Sequence, residues 1–312
     1  MRIATNMFSN DLISQMNQLQ GQQIQLQNQA STGLKVTLPE DNPATMAQVL
    51  DLQSQAQANT QYQSNITQLQ NVAGLSGSAM NSLQTITEQA NQIATEAGGI
   101  NSPTQLANYA TQVGGLIQEA LQAANSQDSP GNYLFGGTVN KQPPFVATTD
   151  ANGNVTAVNY QGNTSVSNSE IGPGQTATAQ LPGENTTGSG PSGLLADSRS
   201  GADLFRDLIS LQKNLSSGNT SAITSTDSAN LTTDEDHLVS GIAANGVLQS
   251  ALETAGTNAT NLGTNLTTQT SNLTSADLAT TLTKLDQTQT AYQAAMQSGV
   301  MIMNMSILSY IH

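Results

Sequence analysis

The chain has 312 residues and a formal net charge of -14; 36% of its residues are hydrophobic, 9% charged and 3% aromatic. Its seven Lys and Arg residues are scattered from Arg2 to Lys284, which excludes the basic patch of a nucleic-acid-binding protein, and the absence of Cys excludes a disulfide framework or a thiolate metal site. Two or three domains fit the length, and thin helical bundles held by Leu, Ile, Val, Met and Ala fit so few aromatics better than a broad aromatic core.

From its start, Met1-Arg2-Ile3-Ala4-Thr5-Asn6 passes directly into a Gln-rich amphipathic stretch with no apolar run and no cleavage-site pattern. Any export is therefore expected to proceed without a cleaved signal peptide. No stretch reaches the length of a membrane span, so no membrane insertion is expected. A first helix is predicted from about Ile3 to Ser31, with Leu12, Met16, Leu19, Gln23, Leu26, Ala30 and Gly33 alternating at spacings of four and three. That spacing keeps one narrow seam facing a neighbouring helix, the geometry of coiled-coil packing.

Thr32 to Pro39 reads as an extended break, after which Asp41 or Asn42 can cap a second helix with Pro43 at its first position. This helix holds register through Tyr62, Ile66, Leu69, Ala73, Met80, Leu83, Ala90 and Ala97 and stops at Gly98-Gly99, with a local bend allowed at Gly74 and Gly77. Ser102-Pro103 starts a third helix that ends near Ser126. Composition then changes. Phe145 to Thr149 and Val155 to Tyr160 flank an Asn152-Gly153-Asn154 turn, and Ser165 to Ile171 and Thr176 to Leu181 flank Gly172-Pro173-Gly174, so strands are predicted. Pro182 to Gly193 is expected to be a mobile surface loop, one that could be shortened between Thr187 and Asp197 with little effect. Helical periodicity returns at Leu204, Leu208, Leu211 and Leu215 and again from Leu231 to Leu266. A last helix begins near Thr274-Ser275-Ala276-Asp277, read as a capping box with Asp in place of Glu. Along it Leu278, Leu282, Leu285, Gln289, Tyr292, Met296, Gly299 and Met303 form a second four-three seam, widened by Val300, Ile307 and Ile311.

Chemistry finds no seat in this pattern. Gly188-Ser189-Gly190-Pro191-Ser192-Gly193 satisfies G-x-G-x-x-G but follows no predicted strand and opens no helix, so a loop accounts for it better than a phosphate cradle. Asp234-Glu235-Asp236-His237 reads as a solvated helix face, because consecutive helical residues point in different directions and cannot converge on a cation. His237 and His312 are the only histidines, too few for a His triad. No catalytic, cofactor-binding or metal site is expected, and the chain is not read as an enzyme.

Several elements together carry a resemblance. Gln29-Ala30-Ser31-Thr32-Gly33-Leu34-Lys35-Val36 followed by Glu40-Asp41-Asn42-Pro43-Ala44 is similar to the turn and helix start of the bacterial flagellin family, with Gly33, Asp41 and Pro43 at the matching positions. Tyr133, Leu134, Phe135, Gly136 and Gly137, with Pro144-Phe145 just beyond, resemble the helix exit in the hook–filament junction branch of that family rather than the filament subunits. The stretch from Ser275 to Ile311 resembles the same branch, whereas Gly246 to Glu253 follows its family element only loosely and lacks the Arg.

The fold class expected is mainly α with a β-rich insertion. N- and C-terminal helices pair as a coiled coil, long helices form a central bundle, and a small β domain lies outside it. Residues 1–40 with 275–312 are expected as a terminal coiled-coil domain, 41–137 with 201–274 as the helical bundle, and 138–200 as the outer insertion. What the resemblance implies is a structural axial protein of the bacterial flagellum at the junction of hook and filament, exported and assembled distally as a ring of its own subunits. Its implied partners are hook-associated protein 1, flagellin and an export chaperone. The assembly seams would be Leu12, Met16, Leu19, Leu26 and Ala30 at one end and Leu278, Leu282, Leu285, Tyr292, Met296, Val300, Met303 and Ile307 at the other. The bulk filament subunit and, more remotely, a helical signalling coiled coil are the alternatives.

Overall fold

A computed structural model describes residues 2–308, with side chains described from Asn10 to Met301. In chain order the elements are α1 (Arg2–Thr32), α2 (Pro43–Ala97), α3 (Pro103–Ala124), β1 (Phe145–Thr149), β2 (Val155–Tyr160), β3 (Ser169–Gly172), β4 (Gln175–Ala177), β5 (Glu184–Asn185), β6 (Ala196–Asp197), β7 (Ala202–Asp203), α4 (Leu204–Ser217), α5 (Thr220–Ala222), a π-helical turn (Ile223–Asp227), α6 (Ser228–Thr274) and α7 (Leu278–Leu308). The protein is mainly α, with long terminal helices that pack together and a small β-containing region in the middle. Two compact units emerge, one of residues 1–58 with 262–312 and the other of residues 59–261.

In the first unit α1 and α7 run antiparallel. Leu12 approaches Gly299 near one end, and at the other the Lys35 N–H donates to Thr274 O at 2.7 Å while the Ala276 N–H donates to Gly33 O at 2.8 Å. This exchange is a one-residue antiparallel bridge between Leu34 and Ser275, so two breaks far apart in sequence satisfy each other's backbone. Gly33 permits it with φ +71, a left-handed conformation that ends α1 without a Cβ penalty. Asn42 caps α2 by accepting the Thr45 N–H at 3.1 Å, whereas Asp41 fixes the preceding turn by accepting the Thr37 and Leu38 N–H groups, both at 2.9 Å. Those backbone donors lower the Asp41 pKa. Thr274 belongs to the last turn of α6 and does not cap α7. Asp277 does so itself, accepting the Ala279 N–H at 3.0 Å, because the bridge at Ser275 has already broken the helix there.

The second unit has its core where α2, α3, α4 and α6 bury Met80, Leu83, Ile117, Leu208, Leu211, Leu215 and Leu231. Such a list would bury on the order of 1.5–3 kcal/mol per large side chain. Helix α3 starts with a complete capping box between Ser102 and Gln105, and Gly218 closes α4 at φ +70. Helix α2 continues unbroken through Gly74 and Gly77. The second glycine admits α6: a Cβ there would lie 2.9 Å from Asn245 Nδ2, and that amide and Gln249 both donate to Ala73 O, at 3.0 and 3.2 Å. Amide side chains thus bond across this seam where charged chains would be expensive to bury.

β1 and β2 form the predicted antiparallel hairpin, with Phe145 opposite Tyr160. β3 and β4 pair over shorter spans than the alternation suggested, since only residues 169–172 and 175–177 find partners. Thr186 to Ser192 is an exposed surface stretch as expected, but the segment around it is anchored rather than free of contacts. Asn185, in the first strand of a three-stranded β5-β6-β7 sheet, is fully buried and donates from Nδ2 to Ser189 O at 2.8 Å and Pro191 O at 2.6 Å. Gly193 is so enclosed that a Cβ would lie 2.2 Å from Ala196 O. Internal hydrogen bonding replaces the apolar contacts that the composition lacks.

Candidate assembly surfaces

Along α1 the seam residues Leu12, Met16, Leu19, Leu26 and Ala30 are all half-buried, as is Gln23, and the positions between them are mostly exposed. On α7 the buried or half-buried positions from residue 281 on are Thr281, Leu285, Thr288, Gln289, Tyr292, Ala295 and Gly299, which apart from Gln289 are spaced four-three-four-three-four. A Cβ at Gly299 would lie 2.9 Å from Leu12 Cδ2, so glycine sets how closely the two helices approach. The structure thus brings Leu285 and Tyr292 together with the α1 seam. Leu278, Leu282, Met296 and Val300 instead stand on an adjacent flank of α7, 48%, 55%, 44% and 54% exposed. Met303 and Ile307 lie outside the residues whose side chains are described. Thr281, Thr288 and Gly299 carry the packing of the inner face; the first two were missed because the apolar pattern passes over threonine, although their spacing of seven was visible.

The residues of the helix-exit motif sit in the second unit, all of Leu134, Phe135, Gly136 and Gly137 buried and Tyr133 half-buried. Tyr160 joins them to the hairpin. Its hydroxyl lies 2.9 Å from Phe135 O and 3.1 Å from Asn163 O, and it accepts the Gly183 N–H at 3.0 Å. Phe145 packs at a tilt against both Tyr160 and Phe205, with ring centroids 5.1 and 5.3 Å apart. Gly137, at φ +64, lets the chain pass against Asn163. The motif is a core joint between helix and hairpin rather than an exposed contact.

The Asp234 to His237 run is not a solvated face. Asp234 is 1% exposed and accepts the Asp203 N–H at 2.8 Å through Oδ1, while Oδ2 has no hydrogen-bond partner. Burial, and then the Asp207 charge, push its pKa up to about 8. Glu235 accepts from Asn91 of α2 at 3.0 Å and His237 Nε2 donates to Gly193 O at 2.7 Å, so the run ties α6 both to α2 and to the β5-β6-β7 segment. Tertiary packing reaches this helix from several sides, which its own periodicity could not register. Arg206 lies 3.2 Å from Asp207 and 3.4 Å from Asp203, balancing part of the negative charge. Asp197 receives Arg199 at 2.6 Å, and that charge-assisted bond holds its pKa well below the usual carboxylate range. Among the described residues no group of three or more His, Cys, Asp or Glu side chains is arranged to hold a metal ion, and no helix is long and apolar enough to cross a membrane.

Residues 3–140 match the family model described as the bacterial flagellin N-terminal helical region. Flagellar hook-associated protein 3 of Salmonella typhimurium is 34% identical over 147 residues, and its counterpart from Escherichia coli is 31% identical over the same length. Each alignment covers 46% of this chain and 46% of the relative, so the match spans about half the length of the curated relatives. A putative flagellar hook-associated protein from Vibrio parahaemolyticus shares the fold with a TM-score of 0.63 at 16% identity, covering 75% of this chain and 100% of that one. Hook-associated protein 3 from Legionella pneumophila gives 0.60 at 13% identity, over 71% of this chain and 98% of that one. Over residues 3–140, then, the chain is similar to the N-terminal helical region of bacterial flagellins, and its further similarity is to proteins named as hook-associated proteins.

Proposed function

We propose that this chain is a structural axial protein of the bacterial flagellum, located outside the cell, that joins hook to filament after export and distal assembly. The observation that carries the reading is the pairing of α1 with α7, which leaves Leu278, Leu282, Met296 and Val300 half-exposed on the flank of α7 beside the paired face. Covering each of these half-exposed side chains is worth on the order of 1 kcal/mol. One contact of that size is marginal, whereas a ring of identical subunits repeats it at every interface. The partners proposed are further copies of the chain, hook-associated protein 1 on one face, flagellin on the other, and an export chaperone before assembly. In this reading residues 138–200 form an outer part, residues 41–137 with 201–274 the bundle, and 1–40 with 275–312 the inner tube; the assembly role rests on binding between surfaces, with no catalytic step.

The second reading, the bulk filament subunit, draws on the flagellin family match of residues 3–140. The curated relatives are named for the hook-associated protein, which favours the first. Electron microscopy of a strain lacking the gene separates them. The junction role requires hooks without filaments and filament subunit released intact into the medium; a strain whose medium contains no other filament subunit would point to the second reading, and normal filaments would refute both.

A further inference from the structure

The sequence contains two Asn-Gly pairs, Asn152-Gly153 and Asn245-Gly246, and the fold treats them in opposite ways. Asn-Gly is the dipeptide most open to intramolecular attack by the following backbone nitrogen, since glycine presents no Cβ to shield its amide. Asn152 lies at the exposed tip of the β1–β2 hairpin, where its side chain hydrogen-bonds to the Asp150 carboxylate but is not packed into the fold. Gly153 has φ +83 with nothing within 4 Å of where a Cβ would stand. Its N–H is engaged only by Asp150 O, at 3.1 Å, on a turn that is itself exposed. Asn245 is the reverse case: it is buried in the middle of α6, its Nδ2 donates to Ala73 O at 3.0 Å, and the Gly246 N–H belongs to the helical ladder.

We propose that Asn152-Gly153 is a site of spontaneous covalent modification in the folded protein, while Asn245-Gly246 is protected. The Gly153 nitrogen attacks Cγ of Asn152; the N–Cγ bond forms, the Cγ–Nδ2 bond breaks, and ammonia leaves, its added proton drawn through solvent from the attacking amide. One water then opens the five-membered imide at either carbonyl, giving aspartate or isoaspartate. Both products place a new carboxylate beside Asp150. That residue organises the turn, accepting the Asn152 and Asn154 N–H groups at 2.8 and 2.9 Å, donors that lower its pKa. The isoaspartyl form also routes the main chain through Cβ and adds one backbone atom to the turn. The hairpin tip next to buried Val155 is then reshaped without any enzyme.

The test is to age the purified full-length chain in mildly alkaline buffer at physiological temperature and map its peptides by mass spectrometry, with isoaspartate labelled by a protein isoaspartyl methyltransferase. The same chain aged in denaturant shows what both sites do without a fold, and Asn152→Gln removes the five-membered route. The expected result is a gain of one mass unit and isoaspartate labelling at residue 152 alone in the folded chain, at both sites in denaturant, and at neither in the folded Asn152→Gln variant. No gain at 152 in the folded chain while denatured chain reacts would overturn the proposal, because the Gly153–Asp150 bond would then be protective. Equal gain at 152 and 245 in the folded chain would overturn it as well.

Discussion

Asp234 makes the stability of the second unit depend on pH in an unusual direction. Its carboxyl is buried between β7, α4 and α6 with Asp203 and Asp207 nearby, and only Arg206 offsets them. A rise from 3.8 to about 8 corresponds to on the order of 5 kcal/mol favouring the protonated form in the folded protein. The folded state therefore binds more protons than the unfolded chain between about pH 4 and about pH 8. This contribution is complete below about pH 4 and is lost as pH rises through about 8. Asp203, also raised, chiefly by burial, adds to the same trend. Asp234→Asn keeps an acceptor for the Asp203 N–H and cannot ionise. Urea unfolding of parent and variant, followed by circular dichroism and tyrosine fluorescence from about pH 4 to about pH 9, should show the parent losing stability as pH rises to about 8 and the variant losing several kcal/mol less. Above about pH 8 the variant should be the more stable of the two. Parallel curves for the two proteins would refute the reasoning, since Asp234 would then carry its charge without cost.

Other outcomes follow from single contacts. Tyr160→Phe removes the hydroxyl that meets Phe135 O, Asn163 O and the Gly183 N–H, and should cost about 1–3 kcal/mol in chemical unfolding, with β1–β2 amides losing hydrogen-exchange protection. Gly299→Leu puts a side chain where even a Cβ lies 2.9 Å from Leu12, so limited proteolysis should cleave α1 and α7 faster while residues 59–261 stay resistant. Leu19→Asp with Leu285→Asp should open the same pair and stop swimming, whereas Leu282→Asp, on the exposed side, should leave the pair protected and still stop swimming; a motile Leu282→Asp strain would remove the outer stripe from assembly. Deleting residues 187–197 takes away buried Leu194, Leu195 and Asp197 and should lower the unfolding midpoint markedly; an unchanged midpoint would restore the mobile-loop reading.

Local signals read directly from the sequence were those whose physics is local. Ser102-Pro103, the Asp41-Asn42-Pro43 start, the break after Thr32 and the 145–160 hairpin need only neighbouring backbone groups to be satisfied, and the structure places each element where the residues indicate. The four-three repeat likewise marked α1 and α7 as helices with a seam. It could not decide which of two adjacent stripes on α7 turns inward, because Thr281, Thr288 and Gly299 pack well against α1 for their small size rather than their hydrophobicity. Nor could composition separate a mobile Gly- and Ser-rich loop from one held by Asn185, Asp197 and His237, or a solvated acidic run from a buried Asp234. In these cases the deciding partner is a backbone group, as for Asn185, Asp197 and His237, or lies tens of residues away along the chain, as for Asp234. Side-chain pattern records the chemistry a residue offers; only the folded chain fixes what stands opposite it, and burial then determines whether a polar group is solvated, paired or shifted in charge.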